Sequence, residues 1–425
     1  MGLILVAALF VLLFLGVPVA FALAGATLFA IFFFTDMSVF VVGQQMFSSL
    51  DSFPLLAIPL FILAGKLMET GGISSRLIKL ASAFCGHISG GYAASGVVAC
   101  LFFGAISGSS AATVAAIGAI LIPAMIKKGY SSSFSAASIA VSGELGVILP
   151  PSIPLIVYGV VAKVSIGSLF IAGILPGILL GLSLILTVYI IAKIKGFKDD
   201  VRKSTWKEKL DAVSDSSLAL IMPLIILGGI YSGVFTPTEA AAVAVVYSFV
   251  VSVFVYKELK IQSLINVFGD AALMTAIIMI IVSGAGLMSW FLTINMIPQS
   301  IAEILVDVTA NVVIFLVIVN LILLIVGMFF ESTSAILILA PILVPVAMQF
   351  GIDPVHFGII MIVNLAIGMV TPPVGVNLFV SCQIAKISLE EITKGLAPFF
   401  ITLIINLMLV TYIPIISTWL PGMMR

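Results

Sequence analysis

The sequence predicts an all-α polytopic membrane protein made of two inverted repeats, and three observations carry that prediction. Hydrophobic residues make up 62% of 425, charged residues only 8%, and the mean hydropathy is +1.36. A water-soluble core has no use for so much apolar surface. A long apolar segment is broken at Ser142–Pro154, where Pro150 and Pro151 offer no N–H to the carbonyls of Gly146 and Val147. The same Gly-x-x-x-Pro-Pro spacing returns at Gly368–Pro373, 222 residues later (368 − 146), and strands the carbonyls of Gly368 and Met369. Bare carbonyls are costly in hydrocarbon, so such a break persists where it lines a cavity, binds something or is covered. Two breaks at matched positions predict a paired binding site.

The elements follow in order. Residues 3–15 and 19–34 read as two short helices meeting near Pro18, since the whole run exceeds a span of roughly 20 residues. With no basic segment and no small-residue cleavage site, they are expected to be mature protein rather than a signal peptide. A span at about 54–69 ends in Lys66 and Glu69. Over Ile73–Cys85, Ile73, Leu77, Leu80 and Phe84 share one face, which predicts an interfacial amphipathic helix. Residues 91–126 carry Gly104-Ala-Ile-Ser-Gly-Ser-Ser-Ala-Ala-Thr113 between apolar arms of about 12–15 residues. Arms that short predict a re-entrant hairpin with its polar tip near the midplane. A broken helix at 133–162 and a span at 168–192 complete the first repeat, 1–192.

Residues 193–217 hold the one concentrated charge run and read as a cytoplasmic linker, with Trp206 as an interfacial anchor. The second repeat, 218–425, starts with spans at 218–234 and 238–256 around Phe235-Thr-Pro-Thr-Glu239, and Pro237 aligns with Pro18. Gly286 answers Gly65, and a second hairpin at 312–349 places Gly327…Glu331-Ser-Thr-Ser334 opposite the first tip. A second broken helix covers 355–386, and Pro123/Pro345, Gly173/Gly395 and Pro176/Pro398 keep the offset of 222.

Five crossings per repeat invert the second half. With the linker in the cytoplasm and both termini outside, 16 of 18 Lys and Arg fall on the cytoplasmic side, leaving Lys163 and Arg425 outside. Each hairpin then enters from a different face, and the tips meet beside the breaks.

The expected midplane set is rich in oxygen and poor in charge. Ser107, Gly108, Ser109, Ser110 and Thr113 come from one tip, and Glu331, Ser332, Thr333 and Ser334 from the other. The breaks add Gly146, Leu149 and Pro151, and Gly368, Thr371, Val374 and Asn377. Such ligands suit hard monovalent cations, and half-helix ends suit anions, so sodium coupling is favoured over a proton relay. Glu144 and Glu331 read either as helix caps or as coupling groups. Lys163 reads either as a contact for an anion or as a side chain snorkelling to the interface. Cys85, Cys100 and Cys382 are scattered and His87 and His356 stand apart, so neither a disulfide framework nor a metal cluster is indicated. No nucleophile–base pair, phosphate loop or basic patch points to an enzyme or to nucleic acid.

Four motifs carry a family resemblance over nearly the whole chain. Gly104–Thr113, Gly146-Val-Ile-Leu-Pro-Pro-Ser152, Phe235-Thr-Pro-Thr-Glu-Ala-Ala-Ala242 and Gly368-Met-Val-Thr-Pro-Pro-Val-Gly-Val-Asn377 resemble the large membrane subunit of a TRAP (tripartite ATP-independent periplasmic) transporter. The resemblance implies an elevator-type, sodium-driven importer of organic acids in the bacterial inner membrane. It implies two partners, a separate small four-helix membrane subunit and a soluble periplasmic substrate-binding protein. By motif, Ser107, Ser110, Gly146, Leu149 and Pro151 would hold one sodium ion. Gly327, Gly368, Thr371 and Val374 would hold another, and Ser109, Ser110, Ser332, Thr333 and Asn377 the substrate. The chain looks similar to the sialic-acid branch, with C4-dicarboxylates as the alternative cargo. A stand-alone dicarboxylate symporter or anion exchanger of the same architecture is the rival reading.

Overall fold

The computed structural model describes residues 2–197, 202–300, 303 and 311–423. Lys198 and Arg425, which enter the charge count above, lie outside them. Every regular element among the described residues is helical. Nine helices there are long and apolar enough to cross a membrane, and a further span is broken and bent by 42°.

The first repeat contains α1 (Gly2–Phe14), α2 (Val19–Phe34), α3 (Phe40–Ser48), α4 (Ala57–Thr70) and α5 (Ile73–Cys85). Its hairpin is α6 (Gly91–Ser107) and α7 (Ser110–Lys127). The broken span is α8 (Ser132–Ser142), α9 (Leu145–Ile148) and α10 (Ile153–Ala162), and α11 (Ile166–Lys195) closes the repeat. The second repeat contains α12 (Trp206–Tyr231), α13 (Pro237–Val250) and α14 (Ile261–Ile294). The hairpin α15 (Val312–Phe329) and α16 (Ser332–Gln349) comes next, then the broken α17 (Pro354–Gly368) and α18 (Val376–Ala385). Two helices end the chain, α19 (Leu389–Tyr412) and α20 (Ile415–Met423).

Three details depart from the sequence reading. The arms of the first hairpin are 17 and 18 residues, longer than the 12–15 expected, and those of the second are 18 and 18. The small residues near each tip do not end the helix; Gly108 alone, at φ +64°, turns the first one. Length therefore does not decide that the hairpins are re-entrant. Each tip packs into a broken span, with Gly108 O accepting from Ile153 N and Met328 O from Gly375 N. The charged stretch is also less of a loop than expected: α11 runs to Lys195, and α12 starts at Trp206. There the Thr205 hydroxyl accepts from Glu208 N and the Glu208 carboxylate accepts from Thr205 N, a capping box that fixes the start. Finally, α5 buries Ile73, Leu77 and Leu80 against α6 and α12, but Phe84 stays exposed.

Two groups of helices emerge. In one, α4 packs on α13 and α14, α2 on α14, and α5 on α12. Arg76 pins this group: it donates to Glu258 at 2.7 Å and stacks 3.8 Å from the Tyr256 ring centroid. In the other group the repeats pack crosswise, with α7 against α18 and α10 against α16. The second arm of each hairpin thus lies along the half-helix that follows the other repeat's break.

Candidate functional site

Each hairpin tip is seated in a break. Gly108 O accepts from Ile153 N at 3.3 Å, tying the first tip to the start of α10. In the second repeat Met328 O accepts from Gly375 N at 3.2 Å. The backbones meet at paired glycines: a methyl on Gly104 would lie 2.7 Å from Gly146 Cα, and one on Gly368 would lie 2.5 Å from Gly327 Cα. Only hydrogen fits there. Both double prolines carry a cis Pro–Pro bond.

At the first junction oxygens converge. Ser107 Oγ lies 2.9 Å from Thr113 Oγ1, which donates to Ser109 O at 2.7 Å. Thr113 Oγ1 and Ser109 O press on Gly146, where a methyl would come within 2.6 and 2.7 Å of them, and Pro151 O faces Gly108. Ser107, Gly146 and Pro151 therefore come together, joined by Thr113 and Ser109 O. Leu149 sends its side chain toward Gly177 of α11. Ser110 turns the other way, donating to Asn377 Oδ1 at 3.4 Å and to Met369 Sδ at 3.7 Å. The carbonyl of Val147, expected to be bare, accepts from Ser152 Oγ at 2.5 Å.

The second junction repeats the arrangement with different partners. Gly327 and Gly368 touch, Thr371 Oγ1 donates to Ile367 O at 2.6 Å, and Val374 is half-buried between Pro373 and Gly375. Here too the carbonyls expected to be bare find donors, Gly368 O from Thr371 N at 2.9 Å and Met369 O from Asn377 N at 3.2 Å. Each keeps a second lone pair for another ligand. Among the described residues, no three His, Cys, Asp or Glu side chains gather. The donor sets are hydroxyls and carbonyls, the chemistry of hard cations.

Between the tips runs a buried polar seam. Ser110 and Ser332 both reach Met369 Sδ, the latter at 3.0 Å, and Asn377 Nδ2 donates to Glu144 Oε1 at 2.5 Å. Glu144 is completely buried and its Oε2 has no partner among the described residues. Glu331 behaves differently, accepting from Thr333 N, Thr333 Oγ1 and Ser334 N as the cap of α16. Thr333 is thus tied to the cap, and Ser110, Ser332 and Asn377 face one another inside the protein. Of the expected substrate contacts, Ser109 opens onto a cavity, one it shares with Lys66 and Glu69. Met369 and the Glu144–Asn377 pair escaped sequence reasoning because they join residues 233 positions apart. Lys163 ends α10 in a left-handed conformation and lines two cavities of about 550 and 450 Å³.

Comparison with known proteins identifies the family. Residues 6–416 match the family described as "Tripartite ATP-independent periplasmic transporter, DctM component". The chain belongs to the DctM family of TRAP transporter large permeases. It is therefore a transporter subunit rather than an enzyme. It is 42% identical to the C4-dicarboxylate TRAP transporter large permease DctM of Vibrio cholerae, over 99% of this chain and 98% of that one. It is 45% identical to the isethionate TRAP transporter permease DctMQ of Oleidesulfovibrio alaskensis, over 96% of this chain and 65% of that protein's length. The sialic acid large permease SiaM of Vibrio cholerae is 38% identical over 96% of both chains. In fold, the permease resembles the Alcanivorax borkumensis YdaH transporter, a crystal structure described as having an unusual topology. The TM-score is 0.63 at 14% identity, covering 90% of this chain and 86% of that one.

Proposed function

We propose that this DctM-family permease is the transport subunit of a sodium-coupled importer of organic acid anions in the bacterial inner membrane, with both termini periplasmic. It works with a small membrane subunit and a periplasmic binding protein. The observation that carries this reading is the pair of tip–break junctions, each a set of hydroxyls and carbonyls held by glycine-to-glycine backbone contact. Ser107, Thr113, Gly146 and Pro151 would hold one sodium ion, and Gly327, Gly368, Thr371 and Val374 the other. Bound sodium supplies positive charge at the tips, and the chain's own part is to fix the oxygens around it. The crosswise packing supports movement of both hairpins as one elevator body against the α2–α4–α13–α14 group.

Identities run higher to the isethionate and C4-dicarboxylate relatives than to the sialic acid ones. Short organic acids are therefore the first cargo to test, with sialic acid beside them. The experiment is uptake into proteoliposomes holding the permease with its small subunit, under an inward sodium gradient, with and without binding protein. Uptake that needs both sodium and binding protein supports the tripartite reading. Uptake without binding protein assigns the chain to stand-alone symporters or exchangers, and uptake indifferent to sodium removes the two cation sites.

A further inference from the structure

An organic acid cannot leave water for a protein interior without a partner for its charge. Neither hairpin tip carries a cationic side chain, and the Glu331 carboxylate at the second is occupied in capping α16. The cation that shares a cavity with a tip is Lys66. A cavity of about 20 Å³, room for one water, lies between Gly65, Lys66 and Glu69 of α4 and Ser107, Ser109 and Ile153 of the first hairpin and α10. In it Lys66 Nζ donates to Glu69 Oε2 at 2.9 Å, and both side chains are about three-quarters covered. Ser109 Oγ accepts from Ala112 N, so its hydroxyl hydrogen is left to donate. Lys163, by contrast, stands at the far end of α10 from the tip, roughly 15 Å along the helix.

We propose that Lys66 is the cation that takes the acid group of the substrate, and that Glu69 holds its place while the site is empty. This inference rests on the transport reading above. The incoming carboxylate or sulfonate displaces Glu69 from Lys66 and accepts from the Ser109 hydroxyl. Glu69 lies three residues on, one turn further along α4, so it can turn away without moving the helix. Gly65 is what brings the cation to the tip: the position a side chain would occupy there lies 3.4 Å from Ser107 Cα and O. In the other repeat the matching Gly286 is followed by Leu287. The cation belongs to one repeat alone, so the site takes one acid group.

The test compares two charge-removing variants with opposite expected signs. The permease, reconstituted with its small subunit and binding protein, is assayed for sodium-driven uptake of isethionate, succinate and sialic acid. For the acid that wild type carries, Lys66→Gln should raise KM at least about 10-fold, the loss of a charge-assisted hydrogen bond. Glu69→Gln should lower KM about 2- to 5-fold, the release of a competing, partly exposed ion pair. It should also lower kcat, because the acid group leaves more slowly. Lys66→Arg should retain uptake, and sodium-dependent stabilisation of solubilised Lys66→Gln shows that it has folded. If Lys66 and Glu69 form only a structural pair, both neutral variants move KM in the same direction or leave it unchanged, and the proposal is overturned. Wild type that carries none of the three acids overturns the transport reading and this proposal with it.

Discussion

Alanine at Gly104 tests the tip–break junction at its tightest point. The added methyl would sit 2.7 Å from Gly146 Cα and 2.8 Å from Gly146 N. Both neighbours are backbone, so no side chain can rotate to make room. Reaching an ordinary contact of 3.4 Å means opening the junction by about 0.7 Å. Overpacking of this kind costs about 1–3 kcal/mol, and a displacement near 1 Å in a geometrically demanding site costs about 10²-fold in function. Gly104→Ala should therefore raise the sodium concentration for half-maximal uptake by roughly 10- to 100-fold. Gly368→Ala, whose methyl would lie 2.5 Å from Gly327 Cα, should do the same at the second junction. The control is Gly269→Ala in α14, which meets nothing within 4 Å and should be neutral or stabilising by up to about 1 kcal/mol. The assays are sodium titration of uptake in proteoliposomes and sodium-dependent thermal stabilisation of the solubilised protein. A folded Gly104→Ala with the sodium response of wild type would refute the claim that this contact positions the ligands.

Other perturbations reach different parts of the same architecture. Thr371→Val keeps the shape and removes the hydroxyl that donates to Ile367 O; it should weaken sodium-dependent uptake roughly 5-fold while shifting Tm little. Ser110→Leu forces a bulky group against Met369 and Asn377 and should abolish uptake without preventing membrane insertion, read by immunoblot of membranes. Asn377→Leu removes the donor to Glu144 Oε1 and should cost roughly 1–3 kcal/mol in chemical-denaturation stability. The double variant Glu144→Leu/Asn377→Leu should recover most of that loss. Thr236→Ala removes half of the α13 capping box and should lower stability by about 1 kcal/mol with no change in sodium dependence.

Much of this fold was legible because lipid leaves the backbone few choices. The double prolines had to break their helices, and matched breaks had to face a partner, so the hairpins and broken spans could be placed from local rules. What was illegible depended on how the chain folds back at each break and on contacts between distant residues. The carbonyls of Val147, Gly368 and Met369 read as bare, yet Ser152 Oγ, Thr371 N and Asn377 N reach them. Prolines announce the loss of a donor; its replacement, three to eight residues further along the chain, depends on how the chain turns at the break. Glu144 and Glu331 looked equivalent in sequence, and the fold separates them. Glu331 sits in an extended residue just ahead of α16 and caps it, whereas Glu144 lies in helical conformation and its side chain crosses to the other repeat. Ser109 and Ser110 are adjacent, but the turn at Gly108 sends them to opposite sides of the tip, one toward α4 and one toward α18.

Those opposite sides also indicate which seam can open during transport. On the inner side, Ser110, Asn377, Glu144 and Met369 link the two repeats through fully buried bonds, and parting them would leave groups such as the Glu144 carboxyl without any donor. Each such loss costs about 1–3 kcal/mol. On the outer side the tip meets α4 through Gly65, a small cavity and the partly exposed Lys66–Glu69 pair. Lys66 and Glu69 both belong to α4 and are about three-quarters covered, so their pair is not broken when the tip moves away. On the elevator reading proposed above, the low-cost displacement is a slide of both hairpins and both broken spans together past α4, which leaves the geometry of each junction intact. Opening one hairpin away from its own break would instead dismantle a glycine-packed junction, the arrangement in which the oxygens converge.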